Sequence, residues 1–219
     1  KRIISNKPEL LNCVAGPTPK KDYGQSLLQV ALKSGNLDIA EYLIDAGIDV
    51  NFMEAEDDDP GLRAPVLFDA ITATIDSLCI NQFGTEEEIS KKFTISDKAL
   101  TLFKRIIMNG ADVNKRTSNG MDAINWSLHH AELIMGRPSV YPNSQEKVRE
   151  QLSFVLDYLI ENGADYIAWS DGGYYPEPCP GPSIKTHFFD EFEAANENEE
   201  YKQIKMFIRN YFASRNIHI

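Results

Sequence analysis

The apolar residues of "GNLDIAEYLIDAGIDVN" (35–51) fall at three-to-four spacing. Leu37, Ile39, Ala40, Leu43 and Ile44 share one face of a helix predicted over 37–46, and Gly47 offers the left-handed residue that ends it. Ahead of it, "GQSLLQVAL" (24–32) predicts a short helix over 26–34, with Ser26 accepting a backbone N–H bond as N-cap. The same alternation predicts further helices at 66–81, 97–109, 123–135, 144–162, 184–195 and 198–214. Pro65 suits a first helical turn and Asp122 a cap. Every element expected from this pattern is a helix, so the chain reads as all-α.

The endings of these helices recur. "LIDAGIDVN" returns as "IIMNGADVN" at 106–114 and as "LIENGADYI" at 159–167. Gly47 and Gly110 are 63 residues apart, and Gly110 and Gly163 are 53 apart. The openings "GQSLLQVAL", "RAPVLFDAI" (63–71) and "GMDAINWSL" (120–128) show where the extra length sits. The second unit carries 24 additional residues between its helices and 6 more in the loop before Arg63; the third carries 20. Without them both spacings reduce to 33 residues, a tandem repeat of helix pairs.

A 33-residue unit that opens "GQSLLQVALKSGN" and closes "YLIDAGIDVN" resembles the ankyrin repeat. The resemblance is best from 22 to 167, although no unit carries an intact TPLH tetrapeptide. It implies a solenoid of about four helix pairs, two of them enlarged, joined by β-like finger loops leading into Gly24, Arg63, Gly120 and Gly173. One domain is expected over 1–219: a cap segment at 1–21 with a short helix from Pro8, three repeats at 22–167, and a loop and degenerate capping repeat at 168–219. In that last part Phe188, Phe189 and Phe192 would line one helix. Tyr201, Ile204, Phe207, Ile208, Tyr211 and Phe212 would line the next.

The inserts, at 72–95 and 129–148, fall between the two helices of a unit. In the first, the pattern predicts a lengthened helix to Asn81, a short helix, and a restart capped by Ser96. In the second it predicts a break at Gly136–Pro142 and a restart with Asn143 and Glu146 as a capping box. They form either two lengthened helical hairpins packed on each other or, in addition, a wall specialised for one partner.

Composition narrows the function. Thirty-three acids against 22 bases give a net charge of −11, which opposes nucleic acid or anionic lipid as the main partner and suits a basic protein. Cys13, Cys79 and Cys179 have neither metal nor disulfide spacing and read as free thiols of a cytoplasmic protein. The chain starts at Lys1, which leaves room for a segment ahead of it. His129 and His130 project about 100° apart on a helix and cannot jointly face an ion without a bend. "EAEDDD" (54–59) lacks the ligand order of a calcium loop and reads as a solvated finger. "YYPEPCPGP" reads as a stiff linker.

No phosphate-binding loop or nucleophile elbow is present, and neither cofactor nor metal is expected. The expected function is protein recognition without catalysis, by a monomer in the simplest case. A narrower alternative is an inhibitor or immunity-type protein masking a basic enzyme such as a nuclease; an enzyme ranks third. The ankyrin resemblance implies contact residues at Asp22, Tyr23, Gln25, Lys33 and Ser34 in the first unit. It implies Ser118, Asn119, Met121, His129 and His130 in the third, and Trp169, Asp171, Tyr174 and Tyr175 beside the next finger, with Trp169 equally suited to packing on the tail.

Overall fold

The structure, a computed structural model, describes residues 2–55, 62–165 and 199–216. Its elements are α1 (Arg2–Asn6), α2 (Leu27–Lys33), α3 (Leu37–Asp45), α4 (Val66–Asp76), α5 (Glu86–Met108), α6 (Ala123–Met135), α7 (Gln145–Glu161) and α8 (Glu199–Ser214), with 3-10 turns at Pro8–Leu10, Lys20–Asp22 and Pro142–Ser144. Among the described residues β pairing is confined to two isolated antiparallel bridges, Val14 with Ser26 and Met53 with Pro65. None of the described helices is long and apolar enough to cross a membrane.

Three helix pairs, α2/α3, α4/α5 and α6/α7, stack side by side. Their first helices form one row, α2–α4–α6, and their second helices another, α3–α5–α7. Neither helix of a pair can bury its apolar face alone, so the core runs continuously between pairs. Leu28, Phe68, Ile71, Phe103, Ile106, Leu128 and Leu156 are all fully buried in it. Aromatic pairs tie neighbours in both rows: Phe68 of α4 meets Trp126 of α6 edge-on at 5.4 Å, and Phe103 of α5 meets Tyr158 of α7 at 6.0 Å. At the far end α8 packs on α6, buries Ile204, Ile208 and Phe212, and is tied to α7 by Tyr211 and Arg215, both donating to Asp157.

The recurring phrase now has a mechanical explanation. Gly47, Gly110 and Gly163 take φ of +81°, +91° and +87°, ending each second helix in the left-handed region. The asparagine that follows clamps the next unit. Asn51 donates to the Gly110 carbonyl at 2.8 Å and accepts from the Asp112 N–H at 2.7 Å. Asn114 repeats this on Gly163 and Asp165, at 2.9 and 2.8 Å. Each clamp is braced by the aspartate two residues before it, whose carboxylate accepts the asparagine's own N–H. Asn51→Ala should therefore cost about 1–2 kcal/mol, since two intramolecular bonds are lost near the surface. Asn51→Asp, which keeps the acceptor, should cost less. Urea unfolding of the two variants checks this; equal losses would mean that the acceptor contributes nothing.

The caps at Ser26 and Asp122 form as expected, Ser26 with Gln29 in a complete capping box. Pro65 sits one residue earlier than expected, at the N-cap of α4. The inserts differ more. α4 stops at Asp76 rather than Asn81, and there is no separate short helix: α5 runs unbroken for 23 residues from a Thr85–Glu88 capping box. Nothing between Glu86 and Met108 breaks a helix, and Glu86, Glu87 and Glu88 suit the positive end of its dipole. Ser96 is a buried interior residue whose hydroxyl donates to the Thr74 carbonyl at 2.7 Å. Asn143 lies in a 3-10 turn, and α7 starts at Gln145 without a side-chain cap; the Gln145 amide donates instead to the Ile134 and Tyr141 carbonyls. Ile39 also departs from the expected pattern, being 49% exposed. The helix expected at 184–195, with Phe188, Phe189 and Phe192, and the finger at Gly173 lie outside the described residues.

Candidate recognition surface

The fingers are joined edge to edge by backbone. Ala15 and Gly24 pair within the first, and Ala55 of the second donates to the Gly24 carbonyl at 2.8 Å. Arg63 of the second accepts from the Ser118 N–H of the third at 2.9 Å, and its own N–H donates to the Ser118 hydroxyl at 2.9 Å. Gly24 has φ +78°, and a Cβ there would lie 3.2 Å from the Ala55 carbonyl oxygen, so both the turn and the close approach require glycine.

On this frame Tyr23 is 38% exposed and Ser118 is exposed at the tip of the third finger, while Asp22 is half-buried. Asn119 and Met121 are half-buried and tied inward. Asn119 accepts from the Thr117 hydroxyl, and the Met121 N–H donates to the same oxygen at 2.9 Å. Gln25 is 7% exposed, its amide donating to the Lys21 carbonyl. It supports the finger from within and gives a partner no side-chain surface, contrary to the expectation for it.

Behind the fingers a belt of polar side chains joins the first-row helices. Gln29 of α2 donates to the Asp69 carboxylate of α4 and to the Ala64 carbonyl, each at 3.0 Å. Lys33 pairs with Glu54 at 2.5 Å and reaches Asp69 at 3.6 Å, while Glu54 also accepts the Ala64 N–H at 2.9 Å. Lys33 is thus spent on its own protein more than it is offered to another. Glu54, read as the start of a solvated loop, is buried; its acidic neighbours from Glu56 to Asp59 lie outside the described residues. Burial pushes the Asp69 carboxyl up to about 7, Glu54 adds to the rise, and Lys33 and the Gln29 hydrogen bond oppose it.

One turn along α4, Thr72 accepts from the Trp126 indole N–H at 2.9 Å. His130 Nδ1 lies 2.8 Å from Asp76 and its ring 4.8 Å from that of Trp126. His130 is therefore half-buried in the joint between α4 and α6, whereas His129 beside it is exposed. Ser34 is exposed, with its hydroxyl donating to the Val30 carbonyl at 2.6 Å. Trp169, Asp171, Tyr174 and Tyr175 lie outside the described residues.

Sequence reasoning missed Gln29, Asp69, Thr72 and Asp76. Their spacing was the available signal: 69, 72 and 76 put polar groups on one face of an otherwise apolar helix. Among the described thiols, Cys13 and Cys79 are free and half-buried, and burial and the nearby Asp76 push Cys79 up to about 11, which favours its protonated, more slowly alkylated form.

The geometry offers a braced row of finger tips in front of a locked helical joint. No curated protein matches the sequence. The family model described as ankyrin repeat matches residues 23–52, the first finger, α2, α3 and the exit through Asn51, so over that unit the chain is similar to ankyrin repeat proteins.

Proposed function

We propose that the protein is a non-catalytic recognition module, a solenoid of about four helix pairs that binds a protein partner on the side formed by its fingers and first-row helices. The observation that carries this reading is the hydrogen-bonded ladder of fingers, which holds Tyr23 and Ser118 outward on backbone already fixed from unit to unit. Little conformational freedom is left to lose when such a surface binds. An aromatic residue at a finger tip is also the kind of side chain that anchors interfaces. The contact residues assigned to this surface are Asp22, Tyr23, Ser34, Ser118 and His129, with Lys33, Asn119, Met121 and His130 behind them as braces. The net charge of −11 favours a basic partner, and with it the narrower reading of a protein that masks a basic enzyme.

The test starts from a partner captured from native lysate and continues with binding kinetics at two salt concentrations. Tyr23→Ala is expected to speed dissociation about tenfold or more, because a central contact is desolvated on binding. Neutralising Asp57, Asp58 and Asp59 should mainly slow association and reduce its salt dependence, because peripheral charges steer encounter. Unchanged kinetics in both, with binding lost on Phe83→Ala, would move the site to the insert, where Phe83 is 82% exposed at the turn before α5.

A further inference from the structure

We propose that residues 2–15 are the closing half of a further helical unit, and that the apolar cleft in front of α2 is the seat of that unit's first helix, carried by polypeptide ahead of Lys1. The register is the first ground. The Asp49 N–H donates to the Asn12 side chain at 3.0 Å, the bond by which Asp112 is held by Asn51 and Asp165 by Asn114. The Val14–Ser26 bridge repeats the Met53–Pro65 bridge. Asn12 and Asn51, Val14 and Met53, and Ser26 and Pro65 are each 39 residues apart. The same shift lays α1 (Arg2–Asn6) on residues 41–45, the C-terminal half of α3. By register α1 is the second half of a second helix.

The cleft is the second ground. It has a volume of about 380 Å³ and its walls include Ile4, Leu10, Leu27, Val30, Ile39 and Tyr42. The same positions at the next interface show what such a wall becomes when a unit lies on it. The counterparts of Leu27 and Ile39 are Val66 and Leu102, which α2 and α3 cover to 0% and 1% exposure. Leu27 is only half-buried and Ile39 is 49% exposed. A helix continuing the α2–α4–α6 row would run across Leu27 and Val30, then turn into the first half of the helix that α1 finishes. That requires on the order of 15 residues, half of a 33-residue unit, with an apolar face toward α2.

The experiment compares the 219-residue chain with the same protein carrying the residues encoded immediately upstream in its natural reading frame. Cys13 lies on the cleft wall and Cys79 lies away from it. Alkylation by N-ethylmaleimide, followed at each site by mass spectrometry, should slow at Cys13 about tenfold or more in the longer protein and stay unchanged at Cys79. Ile39→Glu should hardly shift the thermal midpoint of the 219-residue chain and should lower that of the longer protein by about 5 °C. Equal Cys13 rates, an equal effect of Ile39→Glu in both proteins, or a reading frame with no helix-forming residues at that place would each overturn the proposal.

Discussion

Phe68→Ala is expected to lower the unfolding free energy by about 3–5 kcal/mol and to separate the unfolding of the first units from that of the rest. Phe68 is fully buried on α4, and its ring contacts Trp126 of α6 edge-on. Its removal leaves a cavity at the joint between the second and third units, where the surrounding helices cannot collapse without losing the Trp126–Thr72 bond. In a stack where each unit touches only its neighbours, cooperativity depends on such interfaces. Urea unfolding followed by the fluorescence of Trp126, in a Trp169→Phe background that removes the second tryptophan, and by circular dichroism should give coincident transitions without the Phe68 substitution and offset ones with it. A loss below about 1 kcal/mol with coincident transitions would show that the interface is carried elsewhere, for instance by Phe103 and Tyr158 in the other row.

What the sequence disclosed was the part whose cause is local. The C-terminal glycines, the caps at Ser26 and Asp122 and the apolar stripe of α8 each depend on residues within one or two turns. The 33-residue unit emerged because those local signals recur. The long α5 departs from the expected break although its signal is present: Thr85 and Glu88 form a capping box as legible as the one at Ser26. Ser96 stands where the unlengthened helix would begin, and an insert that merely extends a helix leaves no mark at that point.

The polar belt was hidden for a different reason. Lys33 and Glu54 are 21 residues apart, Gln29 and Asp69 are 40 apart, and His130 and Asp76 are 54 apart, so their pairing exists only once the units are stacked. Read singly, Lys33 and His130 look like free contact residues and Glu54 like part of a solvated acidic loop. Exposure of Ile39 was hidden in the same way, since helical periodicity says which residues share a face and not whether another unit covers it. The local pattern thus gives the unit, and the contacts between units give the surface that is left for a partner.

Asp69 should contribute a fall in stability as pH rises from about 4 to about 7, and Asp69→Asn should remove that contribution. Asp69 faces Gln29 and Lys33 of α2 and Glu54 of the second finger, and burial holds its carboxyl at about 7 in the folded state. In the unfolded chain the same carboxyl titrates near 3.9, so between these values the folded protein holds a proton that the unfolded chain has released. Its contribution is complete below about 4 and is lost as pH rises through 7, at up to about 1.4 kcal/mol per pH unit and about 4 kcal/mol over the window. Glu132 on α6, also pushed up to about 7 by burial, acts in the same direction, so Glu132→Gln is the necessary second variant. Asp69→Asn keeps an acceptor for the Gln29 amide and has no proton to lose, so it should match the native protein near pH 4 and exceed it by a margin that grows up to about pH 7. Urea unfolding at half-unit intervals from pH 3.5 to 8 measures this directly. Parallel profiles for the native protein and Asp69→Asn would mean that Lys33 neutralises the carboxylate in full, and that the belt is an ion pair rather than a buried acid.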